Sequence, residues 1–151
     1  MKTLVFDIET NGLDPSKIWC IATVDADTGD LKSYGPDKLV DAVQFLQAAD
    51  KLVGHNIIGY DIPVIKKLMD VDLSKHAKIV DTLVLSRLFN PVREGGHSLE
   101  SWGYRVGLHK IEFDQYDNYS EEMLLYCETD TVLNNKIFNR LKLEAVGFSS
   151  H

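Results

Sequence analysis

Residues 2–9 read Lys-Thr-Leu-Val-Phe-Asp-Ile-Glu, and Thr10 to Leu13 follow as a turn. The stretch alternates as a β-strand does. Leu4, Phe6 and Ile8 share one face, and Val5, Asp7 and Glu9 share the other. The strand therefore puts two carboxylates side by side at its end. Like charges about 6–7 Å apart on a mostly apolar strand repel each other and lose solvation, and nothing in folding calls for them. A divalent cation would relieve the repulsion. Mg²⁺ takes one or two carboxylates together with substrate phosphates. Asp-x-Glu alone is a weak signal, since this composition delivers about 0.8 such triplets by chance. Its position is more telling, because α/β sheets carry their sites at strand ends.

Outward from this strand the chain reads as α/β. Residues 17–25 and 31–35 form strands, joined by the turn Asp27-Thr28-Gly29-Asp30. Residues 37–49 carry Leu39, Val43 and Leu46 at helical spacing. A short strand spans Lys51–Gly54, and a helix spans Asp61–Met69. A brief strand covers Lys78–Val80, and Asp81 is placed to cap a helix over Thr82–Leu88. Ser98–Val106 is a further short helix. The last helix starts after Ser120, with Glu121 and Glu122 in its first turn, and is expected to stop near Ala145 at Gly147. A hairpin followed by strand–helix alternation predicts a mixed sheet with helices on its faces.

Composition narrows the function. The chain has 151 residues, 44% hydrophobic and 26% charged, the size and make-up of one globular domain over 1–151. No apolar run reaches the roughly 18 residues of a membrane span, and Asp7 and Glu9 interrupt the only apolar stretch near the start, so a signal peptide is excluded. Cys20 and Cys127 read as two free buried thiols of a reducing cytoplasm. The net charge of −7 argues against a protein that coats duplex DNA. It does not argue against a nuclease whose bound metals supply positive charge.

Two further stretches hold candidate chemistry. Gly54-His55-Asn56-Ile57-Ile58-Gly59-Tyr60-Asp61 joins a strand end to a helix start. Asp61 is there either a helix cap or a functional carboxylate, and His55 and Asn56 are either turn residues or part of a site. Tyr126-Cys127-Glu128-Thr129-Asp130 lies on the last helix, with Tyr126 and Asp130 on one face. Asp130 falls in register with Leu133, Ile137 and Leu141, where a carboxylate is expensive unless paired or metal-bound. Trp19 and Trp102 read as packing residues. His97 reads as structural rather than as a phosphate contact, and His55, His76, His109 and His151 lack the spacing of a zinc site.

Phe6-Asp-Ile-Glu-Thr10, His55-Asn56 to Asp61, and Tyr126 to Asp130, in that order, resemble the DEDD superfamily of 3′–5′ exonucleases. The tyrosine four before the last aspartate marks the DEDDy branch; the alternative branch places a histidine where this chain has Leu125. Asp81-Thr-Leu-Val-Leu-Ser-Arg-Leu88, His97 to Gly107 and Ser120-Glu-Glu-Met123 are similar to the proofreading domain of bacteriophage family A DNA polymerases. The stretches Leu88–Gly95 and Ile111–Ser120 are shorter here than in that family.

The resemblance implies an RNase H-like fold: a five-stranded mixed sheet, order 3-2-1-4-5, one strand antiparallel, flanked by helices. It implies two divalent cations, Mg²⁺ or Mn²⁺, held by Asp7, Glu9, Asp61 and Asp130, with Asp7 bridging both. Tyr126 would orient the attacking water, since a phenol is a poor base at neutral pH. Thr10, Leu13 and Asn56 match positions around the terminal nucleotide. The expected substrate is the 3′ end of single-stranded or frayed DNA, with RNA as the alternative, and the product is 5′-mononucleotides in proofreading or DNA degradation. A separate DNA polymerase is the expected partner. The start at Met1 and the late helix stop are what a freestanding cytoplasmic enzyme would show, in a bacterial host if phage-encoded. A binding-only relative would be expected to have lost metal carboxylates, and all four are here.

Overall fold

The computed structural model describes residues 1–93, 95–107 and 113–149. His109, His151 and the start of the Ile111–Ser120 stretch lie outside the described residues. Strands β1 (Thr3–Thr10), β2 (Ile18–Asp25), β3 (Leu31–Tyr34), β4 (Lys51–Gly54) and β5 (Lys78–Asp81) form one sheet in the order β3-β2-β1-β4-β5. β2 is antiparallel to β1 and β3, whereas β4 runs parallel to β1 and β5 parallel to β4. This is the order and the single antiparallel strand that the family resemblance implied.

β1 sits at the centre, and its alternation sorts the two faces. Leu4, Phe6 and Ile8 pack with Ala42, Val43 and Leu46 of α1 (Leu39–Gln47) and with Ile62, Val64 and Ile65 of α2 (Ile62–Met69). On the other face Val5 packs with Val24, Val53 and Phe138, the last from α5 (Glu121–Ser149). Cys20, Ala22, Met123 and Cys127 continue that seam. Leu133, Ile137 and Leu141 of α5 bury Trp102 of α4 (Leu99–Val106), and α3 (Thr82–Phe89) lies alongside. α5 thus covers the face on which Asp7 and Glu9 stand.

Three boundaries differ from the sequence reading. A 3₁₀ turn over Pro36–Lys38 precedes α1, because proline favours a helix start and lacks the N–H of a helix interior. A π-helical turn over Ile57–Asp61 precedes α2, so Asp61 has helical backbone angles and makes no capping hydrogen bond. The cap alternative for Asp61 is therefore corrected. α5 does not stop near Ala145 but runs through Gly147 to Ser149; a single helical glycine costs only about 1 kcal/mol against alanine and does not by itself break a long helix.

Candidate active site

β1 ends at a β-bulge. Glu9 pairs with Cys20 but Thr10 pairs with Ile18, so Trp19 is the extra residue of β2. Beside that bulge the Asp7 and Glu9 carboxylate oxygens and the Cys127 sulfur all lie within 4.8 Å of one another. Glu9 is buried and Asp7 half-buried. The Cys127 thiol donates to the Asp7 backbone carbonyl at 3.5 Å. Burial pushes that thiol's pKa up, and contact with Cys20 and the charge of Asp7 push the same way, so it stays protonated. Both cysteines are buried and free, as expected.

Asp61 reaches the site from the other side of β1 by way of a specialised turn. Gly54 ends β4 where a Cβ would strike Ile57 and come within 3.1 Å of the Phe6 carbonyl. Asn56 then takes a left-handed conformation, φ 63°, which asparagine tolerates better than most residues. The Asp81 carboxylate holds this turn by accepting from the N–H groups of Asn56 and Ile58, and it caps α3 by accepting from Leu83 N–H at 3.0 Å. The expected cap at Asp81 is present, with a second task that the sequence reading missed.

Asp61 itself is 4% exposed, and its Oδ2 has no hydrogen-bond partner among the described residues. Burial raises its pKa well above the usual carboxylate value and the Asp81 charge adds to this, while N–H groups of Asp61 and Ile8 act in the opposite sense. Tyr126 and Asp130 are both buried on α5. Burial raises the pKa of the Tyr60 phenol, the Thr10 hydrogen bond opposes it, and the charges of Asp61, Glu9 and Asp7 add to it; burial likewise raises Tyr116, with Glu9, Asp130, Asp114 and Asp7 adding to it. The Ile8 N–H that bonds Asp61 lies between Asp7 and Glu9 on β1, so Asp61 is delivered beside that pair.

A pocket of about 340 Å³ opens next to them, lined by Ile8, Glu9, Thr10, Gly12, Leu13, Tyr60 and Tyr116. Thr10 is buried, whereas Leu13 is 95% exposed at the tip of its loop. Tyr60 was not singled out from the sequence. Its hydroxyl donates to the Gly12 carbonyl at 2.6 Å and lies 2.6 Å from Thr10 Oγ1, which in turn accepts from Gly12 N–H at 3.3 Å. The signal for it was adjacency to Asp61. Asn56 is exposed, and its Oδ1 sits 2.7 Å from where a Cβ on Gly59 would stand. It does not line the pocket.

His55 and His97 are structural. His55 Nε2 lies 2.8 Å from the His97 carbonyl and Nδ1 lies 2.8 Å from Thr82 Oγ1. A carbonyl only accepts, so Nε2 carries the proton. His97 Nδ1 meets Ser86 Oγ at 2.7 Å, and the Trp102 indole donates to the same oxygen at 2.9 Å. Trp102 is buried, as expected, with the guanidinium groups of Arg93 and Arg105 at 4.6 and 4.8 Å from its ring.

The donor set suits a hard cation. Oxygen ligands are what Mg²⁺ and Mn²⁺ take, two carboxylates already converge, and a buried Asp61 oxygen lacks a partner among the described residues.

The sequence profile of the RNase H superfamily matches residues 4–114, and the chain belongs to that superfamily. Among individual proteins, it is 29% identical over an alignment of 184 positions to the DNA-directed DNA polymerase of Enterobacteria phage T3. That alignment covers 91% of this chain and 26% of the polymerase, so the chain spans about a quarter of that relative's length. By structure it is similar to Brucella melitensis NrnC bound to pGG, with TM-score 0.75 and 15% identity over 97% of this chain and 74% of NrnC. NrnC with bound Mg²⁺ also superposes with TM-score 0.75, at 16% identity over 97% and 75% of the two chains. At that identity the likeness bears on the fold. No helix among the described residues is long and apolar enough to cross a membrane.

Proposed function

We propose that the chain is a metal-dependent 3′–5′ exonuclease of the DEDDy type that releases 5′-mononucleotides from the 3′ end of single-stranded or frayed DNA. The observation that supports this reading most is the Asp7–Glu9 pair, with ligand atoms within 4.8 Å of each other at the end of the central strand of an RNase H-like sheet. Asp7, Glu9, Asp61 and Asp130 would hold two divalent cations, with Asp7 shared between them. When bound, such ions activate water and stabilise the attacking and leaving oxygens of an in-line displacement.

The chain's own residues supply the rest. Tyr126 shares a helix face with Asp130, and its hydroxyl orients the attacking water. Thr10, locked to Tyr60 and Gly12, fixes the loop that presents Leu13 to the terminal nucleotide. The pocket beside Glu9 takes the sugar and base, not a phosphate, because among the described residues that line it the one charged side chain is an acid. The similarity to a phage DNA polymerase supports a DNA 3′ end as substrate and a polymerase as partner. The fold shared with NrnC bound to pGG favours a second substrate reading, short oligonucleotides including RNA.

Digestion of a 5′-labelled single strand with Mg²⁺ or Mn²⁺ tests the proposal. A ladder shortening from the 3′ end supports it, and no degradation with either metal overturns it. Matched DNA and RNA strands separate the two substrate readings.

A further inference from the structure

The site has a wall that no sequence motif marks. Tyr116 lines the pocket together with Glu9, Leu13 and Tyr60, yet it comes from the irregular segment before α5. Such a segment holds its shape only if something anchors it. The Trp19 indole N–H donates to the Tyr116 carbonyl at 2.8 Å, across 97 residues of sequence. Trp19 can do this because it is the extra residue of the bulge. In a regular strand it would point away from Cys20, but here it packs in the same cluster as Cys20, Met123 and Cys127. Bulges beside active sites re-aim side chains in this way.

The ring of Tyr116 is fixed as well. Its hydroxyl donates to the Phe113 carbonyl at 3.0 Å, and its ring stands edge-on to Phe113 at 5.3 Å. Phe113 in turn lies 5.6 Å from the ring of Tyr126. With its hydroxyl engaged, what Tyr116 brings to the pocket lining is its ring. The pocket's volume of about 340 Å³ is at the small end of the roughly 300–1,000 Å³ typical of ligand sites, room for one nucleotide unit.

We infer that Tyr116 is the wall on which the 3′-terminal base stacks and that Trp19 is the residue that positions it, so the pocket favours purine over pyrimidine ends. This rests on the exonuclease reading above. Stacking on an aromatic face is open to every base but grows with the area of the ring system, which gives the preference its sign.

The test uses dAMP and dCMP binding by calorimetry, and hydrolysis of strands ending in A or C. The wild type is expected to bind dAMP more tightly than dCMP. Tyr116→Ala should weaken dAMP binding by about 5- to 100-fold, the span of one lost base–aromatic stack, and level the dAMP:dCMP ratio; Tyr116→Phe should restore the ratio. Trp19→Phe keeps a ring but loses the indole donor, and should raise KM for A-ended strands more than it lowers kcat. Should Tyr116→Ala fail to fold, Tyr116→Leu removes the aromatic face at similar bulk and is read the same way. A folded Tyr116→Ala that keeps wild-type dAMP affinity and ratio overturns the inference, as does a wild type that binds both nucleotides equally, and either leaves the exonuclease reading standing if strands are still shortened. A wild type that neither shortens strands nor binds either nucleotide overturns both.

Discussion

The Asp81 carboxylate accepts the backbone N–H of Asn56 at 2.9 Å, so the end of β5 holds the left-handed residue that opens the turn to Asp61. The same carboxylate accepts from Ile58 and from Leu83. One buried acid thus fixes where α3 starts and where a second acid, Asp61, is delivered. The arrangement depends on the parallel pairing of β4 with β5, in which Gly54 stands opposite Asp81.

Asp7→Ala should lower the hydrolysis rate by at least about 10²–10³, the scale of one lost transition-state electrostatic contact. Its melting temperature without metal should match or exceed that of the wild type, since a like charge next to Glu9 is gone. Added Mn²⁺ should raise the melting point of the wild type and not that of the variant. A folded variant with near wild-type rate would refute the bridging role.

Tyr126 and Asp130 are expected to part company on metal dependence. Asp130→Ala should weaken metal binding and activity together. Tyr126→Phe keeps a buried ring, and its loss of a water-orienting hydroxyl should cost about 10- to 100-fold in rate. The metal midpoint, read from activity against Mn²⁺ concentration and from calorimetry, should barely move. Equal shifts of that midpoint in the two variants would contradict this division of roles.

Gly54→Ala should destabilise the protein by about 1–3 kcal/mol, because the new methyl meets Ile57 and the Phe6 carbonyl, and a strand carbonyl has nowhere to go. Thermal melts report this at roughly 2–4 °C per kcal/mol for a chain of this size. An unchanged melting point would mean that the β4 end and its turn are looser than described.

Acid should weaken the fold through His55. Burial holds its pKa below the ordinary 6.5, outweighing the favourable field of Asp81 and reinforced by Arg87. Above pH 6.5 the ring is neutral in both the folded and unfolded chain, and its contribution is fully present. As pH falls below that value the unfolded chain takes the proton first, so stability drops with a slope approaching about 1.4 kcal/mol per pH unit until the folded pKa is passed. Urea melts between pH 7 and 5 should show a shallower decline for His55→Gln than for the wild type. Parallel declines would place the acid sensitivity elsewhere.

β1 was legible because one buried face and one carboxylate face alternate strictly along it, and a strand with a single register leaves little freedom. Asp130 was legible for a related reason, an acid set in an apolar helical stripe. Tyr116 left no trace of this kind. It sits in a segment without periodicity, and its place in the pocket comes from a tryptophan 97 residues away. The second task of Asp81 was hidden as well, since a strand pairing creates it and no local motif does. At Asp61 local preference left a cap and a functional carboxylate equally open, but the tight glycine at position 54 and the left-handed Asn56 start the turn earlier and carry Asp61 into the helix.

Cys20 and Cys127 lie fully buried where β2 and α5 close over the site. An alkylating reagent can reach them only when that seam parts, so the rate at which the native protein is modified is a clock for its opening. The same parting carries Tyr126 away from β1, one residue from the sulfur being labelled. Nucleotide or metal that holds the seam shut should slow the clock, which turns two silent thiols into a reporter of site assembly that requires no substrate turnover.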